Sequence, residues 1–77
     1  MRTIEEMVDS AWEITGYSKA DYYLRLDQVE DEWFAQFVGD NGTYEIAPQG
    51  SGSIISNALE NLIGELLREK AEHPSSH

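Results

Sequence analysis

The sequence predicts an α+β fold of order αβββα, a three-stranded antiparallel meander with two helices packed on one face. Three observations carry this. Apolar residues recur at helical spacing near both ends of the chain, the middle alternates with a period of two and is rich in aromatic and β-branched residues, and Asn41-Gly42 is a strong hairpin signal. Seventy-seven residues are enough for one small domain with a single-layer core. That domain is expected over residues 1–72, with 73–77 a disordered polar tail.

The first helix is expected over residues 3–15, where Ile4, Met7, Val8, Ala11 and Trp12 fall at i, i+3, i+4, i+7 and i+8. Thr3 with Glu6 three residues later makes a capping box, and Gly16 can take the left-handed conformation that ends a helix. Residues 21–29 and 32–47 then read as three strands. If Asn41-Gly42 is the second turn, Phe37 faces Ile46 and Gly39 faces Tyr44. If Glu30-Asp31 is the first, Leu26 pairs with Ala35, Leu24 with Phe37 and Tyr22 with Gly39.

Both hairpins agree on one inner face of Tyr22, Leu24, Leu26, Trp33, Ala35, Phe37, Tyr44 and Ile46. A one-residue slip would turn every one of these outward. The outer face is polar but interrupted by Tyr23, Val29, Phe34 and Val38. Residues 48–52 read as a loop, Ser53 as the cap of a second helix running to about Ala71. That helix carries Ile55, Ala58, Leu59, Leu62, Ile63, Leu66 and Leu67 on one stripe.

Catalysis needs a nucleophile beside a base, carboxylates separated by environment, or a metal cluster, and the sequence offers none, so no enzyme activity and no cofactor are expected. Cysteine is absent and the two histidines, His73 and His77, stand in the tail. Gln49-Gly-Ser-Gly-Ser before a helix lacks the lysine of a phosphate-binding loop, and Asp40-Asn41-Gly42-Thr43-Tyr44-Glu45 lacks the ligand alternation of a calcium loop. The first reads as a flexible connection and the second as an ordinary turn. There is no signal-peptide pattern and no membrane-length apolar run, so a cytoplasmic protein is expected.

What the sequence does declare is charge. Fifteen Asp and Glu against five Lys and Arg give a net −10, which repels nucleic acid and anionic membrane and attracts basic partners. Glu5, Asp9 and Glu13 stand at i, i+4 and i+8 with no Lys or Arg within the helix, a row in which neighbours repel by roughly 0.2–0.5 kcal/mol per pair. Glu30, Asp31 and Glu32 crowd a hairpin tip that propensity would give to Gly or Asn. On the outer sheet face, Tyr23, Phe34 and Val38 read as an apolar patch rimmed by Arg25, Asp27 and Glu32. The candidate partner-binding residues are therefore Glu5, Asp9, Glu13, Tyr23, Asp27, Glu30, Asp31, Glu32 and Phe34. Solubility or adaptation to high salt would also favour acidic surfaces, but neither accounts for aromatic residues set among them.

Carboxylates two residues apart on a strand lie about 6.6 Å apart, and such rows can present negative charge much as a phosphate backbone does. In size, acidity and element order the chain resembles the small phage-encoded anti-CRISPR and anti-restriction inhibitors. The resemblance implies a monomer or homodimer that occupies the nucleic-acid groove of a CRISPR effector or similar protein in the host cytoplasm. It carries over no individual residue. The other class the sequence suits is an antitoxin or regulatory subunit of a basic toxin or enzyme, acting as a homodimer through an exposed edge strand, either residues 22–29 or residues 43–47. The element order also occurs in double-stranded-RNA-binding domains, but the basic helix end that grips phosphates is missing, which argues against direct RNA binding.

Overall fold

The first helix, α1 (Ile4–Thr15), is bounded by the two devices its sequence carries. The Thr3 hydroxyl accepts from the Glu6 N–H at 3.1 Å, and the Glu6 carboxylate accepts from the Thr3 N–H at 2.9 Å, so two orphan donors are satisfied at once. At the other end Gly16, at φ 69°, turns its N–H back onto the Trp12 carbonyl. A tight link follows, in which the Ser18 carbonyl accepts from both Asp21 and Tyr22 and feeds the chain into the sheet.

The computed structural model describes residues 3–39 and 44–72. Its sheet has the order β1 (Tyr22–Val29), β2 (Glu32–Gly39), β3 (Tyr44–Gly52), both pairs antiparallel, and α2 (Ile55–Glu72) closes the α+β fold. The expected register holds: Leu24 faces Phe37, Leu26 faces Ala35, Tyr22 faces Gly39, and Phe37 faces Ile46. Glu30-Asp31 forms the first turn as a two-residue connection, with Glu30 at φ 58°. The expected Asn41-Gly42 turn and the tail from His73 onward lie outside the described residues.

Residues 48–52, expected as a loop, instead continue β3. The register shifts between Gln36 and Phe37, so that Ala47 and Pro48 form a bulge and Gln49 resumes pairing opposite Gln36. A bulge on an edge strand is where proline, which has no N–H to donate, can sit within a sheet. Two extra residues preserve the alternation, leaving Gly50 opposite Ala35 and Gly52 opposite Trp33 on the inner face.

Those glycines explain the packing of α2. A Cβ on Gly50 would lie 2.3 Å from the Leu62 nitrogen and 2.4 Å from the Ala58 carbonyl oxygen. Backbone therefore meets backbone, and the segment is a packing surface and not the flexible connection its composition suggests. Ser53 also falls one residue short of its expected role. The first bond of α2 runs from the Ala58 N–H to the Ile54 carbonyl, which makes Ile54 the cap residue.

The core lies between sheet and helices and joins Met7 and Ala11 of α1, Ala35 and Phe37 of β2, and Ala58, Leu59, Leu62, Ile63 and Leu66 of α2. Leu24, Leu26, Trp33 and Ile46 pack against it from the sheet, so both helices share one face. Trp12 and Tyr17 meet Phe37 edge-on at ring separations of 4.9 and 5.5 Å, and Tyr17 stacks on Tyr22 at 4.5 Å. This aromatic cluster anchors the C-terminal end of α1 to the sheet.

Candidate functional site

At about 100° per residue, positions two apart on a helix differ by about 200°. Glu5, Asp9 and Glu13 therefore stand on the side of α1 opposite Met7 and Ala11, and all three are exposed. Successive carboxylates are separated by about 6 Å along the axis. The last turn holds no basic residue to complement the helix dipole. Glu6 is drawn into the capping box, and Lys19, beyond the helix end, has its ammonium 5.5 Å from the Trp12 ring centre.

The second acidic group, Glu30, Asp31 and Glu32, is exposed at the β1–β2 turn. With Val29 and Ser53 it lines a shallow open depression. Glu30 is the non-glycine residue with positive φ among those described, a conformation that costs an ordinary side chain roughly 1–2 kcal/mol. Local strain of this kind tends to be retained at functional positions.

The outer sheet face differs from its expected form in two ways. Val38 is completely buried and Phe34 half-buried, so the expected patch of Tyr23, Phe34 and Val38 is not an exposed apolar surface. Val38 sits in the central strand, opposite Tyr23 in the register. The exposed apolar side chains of this face are Tyr23 and Val29, at 46 and 58 %. Asp27 is also not an uncompensated carboxylate. Its Oδ2 lies 2.8 Å from the Arg25 Nε, and the Arg25 Nη2 donates to the Gln36 Oε1 at 3.0 Å.

The candidate residues thus fall on two separate surfaces. The α1 row faces away from the core on the helical layer, and Tyr23, Asp27 and Phe34 face away from it on the sheet layer, so no flat partner covers both. The turn carboxylates lie at one end of the sheet. Ile54, the residue that caps α2, is 55 % exposed. A second shallow groove runs between β3 and α2, lined by Gln49, Ser51, Glu60, Asn61, Glu65 and Arg68. There the Asn61 amide donates to the Ser51 carbonyl, and Arg68 pairs with Glu65 as the helical spacing suggests.

Among the described residues no three His, Asp or Glu side chains converge to hold a metal ion, and no helix is long and apolar enough to cross a membrane. No buried side-chain polar atom among them lacks a hydrogen-bond partner. What the arrangement offers chemically is a display of fixed negative charge on a rigid scaffold. Comparison of the chain with protein-family models, with curated proteins and with solved structures finds no match in any of the three.

Proposed function

We propose that the protein is a non-catalytic, acidic binding module that docks on a basic, nucleic-acid-binding surface of a partner protein and blocks it, as anti-CRISPR and DNA-mimic inhibitors do. Its place of action is the cytoplasm, that of the host cell if a phage encodes it. The observation that supports this is the row Glu5, Asp9 and Glu13, exposed on the side of α1 away from the core with no cation in the helix. Glu5 in the first turn complements the helix dipole, but Asp9 and Glu13 do not, and the two i,i+4 repulsions of the row oppose the helix by about 0.4–1 kcal/mol together. The strained Glu30 at the turn is a second carboxylate held where local preference disfavours it. Opposite charge on a partner turns both costs into binding energy and steers the encounter.

The test is capture from host lysate with the tagged wild-type chain and with the triple variant Glu5→Lys, Asp9→Lys, Glu13→Lys. The wild type should retain a basic nucleic-acid-binding protein at about 0.05 M salt, lose it at about 0.5 M, and be displaced by double-stranded DNA. The variant should keep its melting temperature and lose the partner. Capture that survives high salt, or a partner that binds DNA and this chain together, would refute the mimicry.

A further inference from the structure

The two edges of the sheet are built differently. On β3 the edge is blunted by Pro48, by the bulge, and by Asn61, which takes the Ser51 carbonyl. β1 has eight residues without proline, glycine or bulge, and no described strand lies outside it. In the two-residue hairpin Val29 and Glu32 form the closing hydrogen-bonded pair, so odd-numbered residues of β1 turn their backbone groups toward β2. The N–H and C=O groups of Leu24, Leu26 and Gln28 therefore face the open edge, while the Tyr22 N–H at its start is held by the Ser18 carbonyl. The same alternation points the Ser51 carbonyl to the open edge of β3, where Asn61 meets it.

Along the outer face β1 reads Tyr23, Arg25, Asp27, Val29: apolar, positive, negative, apolar. That order is its own complement when the strand is reversed. We propose that β1 pairs with β1 of a second copy, antiparallel about a two-fold axis through Leu26, joining two sheets into one of six strands. In this register Arg25 faces Asp27 of the second copy, Asp27 faces its Arg25, and Tyr23 faces its Val29, each contact made twice. These fall at non-hydrogen-bonded positions, where opposed side chains come closest. The two most exposed apolar side chains of the face cover each other, and the existing Arg25–Asp27 pair of each copy extends into a four-membered network. Leu24, Leu26 and Gln28 supply the backbone bonds. A neighbouring register places Arg25 opposite Arg25, or Asp27 opposite Asp27, which like-charge repulsion opposes.

Sedimentation velocity from about 10 to 500 μM chain at about 0.3 M salt, where repulsion between two anionic molecules is screened, tests this. Wild type should show a concentration-dependent dimer. Arg25→Asp and Asp27→Arg should each weaken it about tenfold or more, because each puts two like-charged pairs face to face, and the double variant should restore it to within about threefold. Gln28→Pro, which removes an edge-facing N–H, should give a folded monomer by circular dichroism. A wild type that stays monomeric throughout, or a dimer indifferent to the swaps or unrescued by the double variant, would overturn the pairing.

Discussion

Gly50→Ala adds one methyl group where the structure has no room for it. The new Cβ would lie 2.3 Å from the Leu62 nitrogen, 2.4 Å from the Ala58 oxygen and 2.7 Å from the Leu62 Cα, all backbone atoms of α2. No rotamer change can clear them, so helix and strand must part by about 1 Å to reach ordinary contact. A gap of that size forfeits a quarter to a half of each dispersion contact across it, and α2 supplies Ala58, Leu59, Leu62, Ile63 and Leu66 to the core. Overpacking of this kind costs roughly 1–3 kcal/mol, and the rigidity of the obstacle places this case near 3. For a domain of this size, whose whole stability is of order 4–12 kcal/mol, that lowers the melting temperature by about 12–24 °C. Gly64→Ala is the control. Its Cβ meets nothing within 4 Å, and alanine in an exposed helix interior is favoured by about 0.8–1 kcal/mol, so it should melt about 4–8 °C higher. Thermal denaturation of the three proteins decides. A Gly50→Ala protein as stable as wild type would refute the close seating of α2 on β3, and with it the account of this segment.

Two further perturbations act on local structure. Glu30→Gly relieves a left-handed glutamate and should raise the melting temperature by about 4–8 °C, while weakening capture of a basic partner; a lower melting temperature would show that the Glu30 side chain holds the turn. Thr3→Ala removes one half of the capping box and should cost about 1 kcal/mol, or about 4–8 °C, measurable in the same melts; an unchanged midpoint would mean that the α1 terminus contributes nothing to global stability.

The register was legible because two turns and one apolar face had to agree. A two-residue connection at Glu30-Asp31 puts Leu24 opposite Phe37 and Tyr22 opposite Gly39 without reference to anything distant. The α1 termini were legible for the same reason, since Thr3, Glu6 and Gly16 act within their own helix. What was hidden depended on contacts between distant segments. Gly50 and Gly52 look like a loop until α2 is laid on them, and Pro48 argues against a strand unless a bulge on an edge receives it. The burial of Val38 and the partial burial of Phe34 go beyond what a period of two on an outer sheet face suggests. Arg25 and Asp27, two apart on one face, both belong to the rim of the expected patch, but that they pair there depends on side-chain conformation and not on spacing alone.

The acidity bears with opposite sign on the two associations proposed. Taken as points about 25 Å apart, roughly twice the radius of gyration of 12.3 Å, two molecules of charge −10 repel by about 17 kcal/mol in unscreened water. A Debye length of about 30 Å at 0.01 M salt leaves about 7 kcal/mol of this, and one of about 8 Å at 0.15 M leaves under about 1 kcal/mol. The exposed Arg25–Asp27 contacts across the two-fold axis are worth far less than that difference, so salt should strengthen pairing through β1 over this range. Docking on a cationic groove loses its attraction over the same range. The charge that would draw the molecule to a basic partner therefore holds it monomeric at low salt, and the edge of β1 becomes available for self-pairing only as that field is screened.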